Sequence, residues 1–264
     1  MNEIEPQSET AEQTRSRQSV VFRVLDLIQL VADSPQPMTL AEIGARLQLP
    51  KPTVHRLCAR LERAKYLTRE PGRSRYRVGA ATERLAFNAI RRGSASLQWR
   101  TILERLVDEI RETCNFTAPA GNEVVYIERV ESRWPSAALH LESGSRVPIH
   151  CTASGKLFLA TMGADRRRRL LEAISLPVLT ERTITSRTRL ESELAVVSSR
   201  GYATEDEEFL AGVAALAVPV VDPRGRIIGA VSCNAAKARF SLEELQKFIP
   251  RLRAAAEEIG RTLI

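Results

Sequence analysis

The chain has 264 residues, of which 44% are hydrophobic and 27% charged, a composition of globular proteins with length enough for two domains and a core in each. Its longest apolar run, FLAGVAALAVPVV (209–221), has 13 residues, whereas a membrane-spanning helix needs about 20. The opening MNEIEPQSETAEQ is acidic and polar, unlike a signal peptide, so a cytoplasmic protein with no membrane partner is expected.

Charge divides the chain unevenly. Residues 1–14 carry four Glu and no base, whereas residues 15–79 carry 13 Lys and Arg against 5 Asp and Glu. From 80 to the end the balance is 26 against 23. A basic module joined to a nearly neutral one points to a polyanion partner for the first alone. The four cysteines are scattered and the three histidines lack ligand spacing, so no metal, disulfide or cofactor is expected.

Residues 1–14 lack apolar periodicity and read as a disordered tail. A helix opens at Ser19, a good N-cap, with Val21, Val24, Leu25, Ile28 and Val31 on one face, and stops at DSPQP. Thr39 caps a second helix with Leu40, Ile43 and Leu47 inward. A third follows LQLPKP with Val54, Leu57, Cys58 and Leu61 inward. YLTRE and RYRVG flank Pro71-Gly72 as a hairpin. Three helices and a hairpin give a winged helix-turn-helix over 15–79, followed by a linker helix over about 80–97.

The remainder, 98–264, reads as α+β. A helix from about Thr101 precedes strand candidates NFTAPA (115–120), EVVYIERV (123–130) and SAALHLE (136–142). Helices resume after HCTAS and at about 189–199, ending at Gly201. AALAVPVVD and RIIGAVSCN are strands joined by a tight turn, and Ser241-Leu-Glu-Glu244 is a capping box opening a last helix that Pro250 should kink.

With its apolar face inward, the third helix leaves Lys51, Thr53, His55, Arg56, Arg60 and Arg63 outside, four of them at the end that enters the major groove in such motifs. Lys and Arg bond guanine edges or phosphates. Alternation puts Arg73, Arg75 and Arg77 of the hairpin on one face, over phosphates or a minor groove. Ser19 and Thr39, at helix starts where amides attract phosphate, complete the expected contacts to double-stranded DNA.

One stretch, HCTASGK (150–156), holds almost every side chain a hydrolase or thiol enzyme uses. Ser154 and Lys156 are two apart, not the three of a Ser-x-x-Lys arrangement, and adjacent His150 and Cys151 diverge in any regular element. No catalytic residue is therefore expected. Thr152 or Ser154 instead caps a helix whose N-terminal amides, around Ala153, Ser154 and Gly155, would grip an anion.

The phrases TLAEIGARLQLPKPTVHRLCARLERAKYL (39–67) and SRYRVG (74–79) resemble the IclR family of bacterial transcription regulators. VVYIERVES (124–132), GSRVPIHCTASGKLFLA (144–160), LTERTIT (179–185) and RGYATEDEEFLAGVAALAVPV (200–220) resemble its effector-binding domain. The resemblance implies a winged-helix domain, a linker helix and a GAF-like effector domain. It also implies a homodimer, often paired into a tetramer, on palindromic operators, with small organic acids or aromatic metabolites as effectors. It places Leu139, Glu205, Val213, Ala215, Ser232 and Asn234 in the effector pocket. This chain has Ala215 where members often have Cys and Glu205 where many have Asp, so the effector does not carry over from glyoxylate or pyruvate binders. The alternatives are a regulator that senses redox state through Cys151 or Cys233, and an enzyme fused to a DNA-binding module.

Overall fold

A computed structural model describes residues 19–34, 36–70, 74–133 and 141–262. The chain divides into two compact units, Met1–Asn88 and Ala89–Ile264. The expected tail 1–14 and the turn Pro71-Gly72 lie outside the described residues. No helix among the described residues is long and apolar enough to cross a membrane.

In the first unit, α1 (Val20–Asp33) opens on Ser19, whose hydroxyl accepts from the Val21 amide. Leu27 and Val31 are buried and Val24 and Ile28 pack beside them, whereas Val21 and Leu25 are exposed. The helix is thus turned by one register from the face expected. Its first half is apolar nearly all round, and periodicity alone does not select a side there. Then come β1 (Met38–Thr39), α2 (Leu40–Leu47) and α3 (Lys51–Arg63). Thr39 and Glu42 form a reciprocal capping box. Pro52 stands in the first turn of α3, where its missing N–H costs nothing. Val54, Leu57, Cys58 and Leu61 are buried as the spacing predicts.

The hairpin is β2 (Leu67–Arg69) and β3 (Arg75–Val78). An unexpected third strand, β1, pairs with β3 through Met38–Tyr76 and Thr39–Arg75, giving the order β1-β3-β2. Two residues are too few to show alternation in a sequence. The linker also differs from the expected single helix over 80–97. α4 (Ala80–Arg92) ends before Gly93, which caps a separate α5 (Ser94–Ile110), so the helix expected from Thr101 starts seven residues earlier.

The second unit is a six-stranded antiparallel sheet in the order β6-β5-β4-β9-β8-β7. Its strands are β4 (Thr113–Ala120), β5 (Glu123–Val130), β6 (Arg146–Pro148), β7 (Ala203–Asp206), β8 (Val213–Val221) and β9 (Ile227–Ala236). Of the strand expected over SAALHLE, 136–140 lies outside the described residues, and Leu141 and Glu142 are not in a strand. The edge partner of β5 is β6, too short to be read from its pattern. Helices α6 (Ala153–Thr161), α7 (Ala164–Ala173) and α8 (Arg187–Arg200) follow β6, and α9 (Leu242–Gln246) and α10 (Ile249–Arg261) close the unit. Pro250 does not kink the last helix. It sits in the first turn of α10, where a proline opens a helix.

α5 and α10 pack on one face of the sheet and α6, backed by α8, on the other. Trp99 of α5 meets Phe116 of β4 edge-on, with centroids 5.0 Å apart, and its indole N–H donates to Thr262. Asn115 and Thr117, on either side of Phe116, point to the α6 face, where Thr117 bonds Ser154. α6 can come so close because residue 155 is glycine: a Cβ there would lie 2.1 Å from the Ile149 carbonyl oxygen. Gly155→Ala should therefore force backbone movement and destabilise the protein by about 3 kcal/mol or more. A urea unfolding curve with the same slope and an unchanged midpoint would contradict this packing.

Candidate functional site

Two sets of residues carry chemistry, one in each unit. In the first, Lys51, His55, Arg56, Arg60 and Arg63 of α3 are exposed and Thr53 is half-buried. Among the described residues none of Lys51, Arg56, Arg60 and Arg63 joins an ion pair, so the outer face of this helix keeps its positive charge uncompensated. Tyr76 is buried, which turns Arg75 and Arg77 to the outer face of the hairpin. Their situations differ. Arg75 donates to the Pro37 carbonyl at 2.8 Å and lies 3.6 Å from Glu42, so it is held within the domain, whereas Arg77 is exposed. Ser19 and Thr39 serve as N-caps of α1 and α2. Arg73 lies outside the described residues.

In the second unit, Ala153, Ser154, Glu205, Val213, Ala215, Ser232 and Asn234 line one cavity. Gly155 stands behind that wall, setting the approach of α6. Leu139 lies outside the described residues. The sequence reading missed Val124, Tyr126, Val147 and Phe209, which with Thr152, expected there as a helix cap, complete the lining. Alternation along β5 could have found Val124 and Tyr126, since both face α6. Phe209 sits in an irregular loop with no period to betray it. The enclosed space is about 20 Å³, room for one water.

Its walls mix apolar and polar side chains, and among the described residues none that lines it is cationic. Thr152 is the N-cap of α6 and accepts from the Gly155 amide at 3.2 Å. Helix geometry leaves the amides of Ala153 and Ser154 without an intrahelical acceptor. Asn115 donates to Ser232 and Asn234, and its own oxygen accepts from Arg129 at 2.9 Å. Glu205 is 3% exposed and its Oε1 accepts from the Glu208 and Phe209 amides. Burial above all, with the nearby Glu208 charge, pushes its pKa up to about 8, against the pull of those amides and Lys156. At neutral pH this carboxyl holds its proton, so it does not repel an anion.

The remaining side chains of HCTASGK form no catalytic pair. His150 is buried with Nε2 3.2 Å from the Pro177 carbonyl oxygen, and burial holds its pKa below the usual value. Lys156, 1% exposed, is spent on Glu208 at 2.5 Å and Glu193 at 3.4 Å. The lowered thiol pKa expected of a redox-sensing Cys151 is overturned. Burial, then Glu205 and Glu208, push it up to about 12, because here the carboxylates and the apolar surroundings outweigh the helix N-terminus. Cys233 is also buried, paired across the sheet with Cys114.

A winged helix with an uncompensated recognition helix, on a chain whose second unit encloses a mixed cavity, defines a DNA-binding transcriptional regulator. The IclR helix-turn-helix domain matches residues 20–71, and the C-terminal domain of bacterial IclR transcriptional regulators matches 94–261. The probable transcriptional regulator SauR of Cupriavidus necator is 39% identical over 91% of this chain and 94% of its own length. The crystal structure of Thermotoga maritima IclR superposes with a TM-score of 0.62 at 25% identity, covering 92% of this chain and 98% of that one. An IclR homologue from Microbacterium hydrocarbonoxydans complexed with 4-hydroxybenzoate gives 0.57 at 26% identity, over 92% and 98% of the two chains. The chain belongs to the IclR family.

The buried Glu205 makes stability depend on pH. Unfolded, the carboxyl ionises near 4.5; folded, near 8, so the native state keeps a proton that the unfolded chain releases between those values. Its contribution is fully present below about 4.5 and is lost as pH rises through about 8, at on the order of 1 kcal/mol per pH unit. The melting temperature of Glu205→Gln should exceed that of the parent at pH 8 and fall less steeply between pH 5 and 8. Parallel curves for the two proteins would refute a protonated Glu205.

Proposed function

We propose that the protein is a ligand-responsive regulator of the cytoplasm whose winged helix binds palindromic operators as a homodimer able to pair into a tetramer. The observation that carries the DNA reading is the unpaired basic face of α3, Lys51 through Arg63, set on a helix whose opposite side is fully buried. Lys51, Thr53, His55 and Arg56, at its N-terminal end, enter the major groove, and Arg77 lies over the phosphates. Arg75, tied to Pro37 and Glu42, positions the hairpin.

The effector is a small organic or aromatic acid held in the second unit, its anion taken by the α6 amides, Ser154 and the Ser232–Asn234 pair. Neutral donors and a protonated Glu205 support that choice, as does the 4-hydroxybenzoate held by the Microbacterium relative. Glu205→Gln keeps an acceptor for the Glu208 and Phe209 amides and should change effector affinity only above pH 8. The protein acts without catalysis, and α4 relays the effector's preference for one dimer arrangement to the spacing of the recognition helices. Half-sites lie roughly 34 Å apart, and the ligand must bind the two arrangements unequally to switch anything.

Operator binding should therefore weaken steeply with salt, with a slope of about −0.9 in log K per log salt for each phosphate contact. Arg77→Ala should reduce that slope by about one contact and weaken all sequences alike, whereas Lys51→Ala or Arg56→Ala should reduce discrimination between operator and random DNA. Fluorescence anisotropy on promoter fragments at several salt concentrations measures both, and salt-independent binding would sink the reading.

A further inference from the structure

Arg129 is buried behind the effector cavity and does not line it. Strict alternation from Tyr126 would send it to the opposite face of the sheet. A bulge in β5, opposite Phe116 and Thr117, shifts the register, so that Tyr126 and Arg129, three apart, both face α6. There Arg129 stands directly across from Asn115 of β4, and its Nη1 donates to Asn115 Oδ1 at 2.9 Å. Its Nε donates to Glu131 at 3.2 Å, so its charge already has a partner.

A guanidinium can only donate, so the Asn115 atom it holds is the oxygen, and the amide cannot turn over. Asn115 Nδ2 must then face β9, where it lies 3.3 Å from Ser232 Oγ and 3.4 Å from Asn234 Oδ1. That NH2 group also only donates. Asn234 therefore gives it an oxygen and sends its own NH2 the other way, while Ser232, having accepted, keeps its proton to give. Among the described residues the Ser232 hydroxyl donates to no acceptor. The Tyr126 phenol feels the same polarity: burial raises its pKa, and the hydrogen bond with Asn234 opposes the rise, as a donor would. Ser232, Asn234 and Tyr126 all line the cavity.

We infer that Arg129 is a positioning residue for ligand selection: through Asn115 it turns the β9 side of the cavity into two donors, so that the ligand end lodged there must accept. This selection rests on the proposed effector reading and adds what the buried end of the ligand must be. A carboxylate satisfies both donors. A primary amide of the same shape sets its own N–H against one of them and leaves polar groups unpaired.

The orientation is read first without a ligand. In nuclear magnetic resonance spectra of the isotope-labelled full chain, the Asn234 side-chain amide protons should show an Overhauser contact to the Tyr126 ring. The contact should be lost in Asn115→Asp, whose oxygens only accept and draw the Asn234 donors toward them. Calorimetric titration then compares 4-hydroxybenzoate with 4-hydroxybenzamide, and the parent should hold the acid at least about tenfold more tightly. Arg129→Met should bring the two within about threefold, and so should Asn115→Leu, which keeps the guanidinium and removes only the amide it holds. Loss of packing alone would weaken both compounds alike. No Overhauser contact in the parent, or a ratio unmoved in Asn115→Leu, overturns the role of Arg129 and leaves the effector reading standing. A parent that shows the contact and binds neither compound removes the effector reading, and the selection with it, while the amide orientation holds.

Discussion

The seating of α6 against the sheet is the contact on which the second unit depends. Its first turn can reach the Ile149 backbone only because residue 155 has no side chain, and that approach fixes where the helix N-terminus, Ser154 and Lys156 come to rest. Lys156 then enters an interior in which an isolated ammonium would be prohibitive, and Glu208 and Glu193 make the burial tolerable. Glu208 in turn holds the loop whose amides fix Glu205. One steric allowance therefore sets a chain of polar contacts from the helix start to the far edge of the sheet.

The same chain of contacts explains why a stretch rich in reactive side chains forms no catalytic pair. Each candidate nucleophile or base is committed to structure: His150 to a carbonyl, Thr152 to a cap, Ser154 to Thr117, Lys156 to two carboxylates. A catalytic group needs a free partner of matched pKa, and burial drives Cys151 away from ionisation. What remains without a partner inside the helix is the pair of amides at Ala153 and Ser154.

Much of this was legible in the sequence where a period repeats over two or more turns or strand residues. The buried face of α3, the caps at Ser19, Thr39 and Ser241, and the co-facing Ser232 and Asn234 all followed from spacing. Elements too short to repeat, β1 and β6, were not visible. In α1 the apolar residues surround the helix, so the packing partner and not the pattern chose Leu27 over Val21 and Leu25. Family resemblance located the cavity, but not Phe209 or Tyr126, and not the engagement of Arg75 by Glu42 and by Pro37, the latter 38 positions away.

The size of the cavity beside α6 has an energetic consequence. A space of about 20 Å³ admits one water, so an organic acid can occupy it only in conformers whose walls have parted. Observed affinity is then the intrinsic affinity multiplied by the fraction of molecules so expanded. On the proposed effector reading, a mutation that merely loosens the packing of Val124, Val147 or Phe209 would strengthen apparent binding without adding a single contact, and ligand sensitivity becomes a property of core rigidity as much as of recognition.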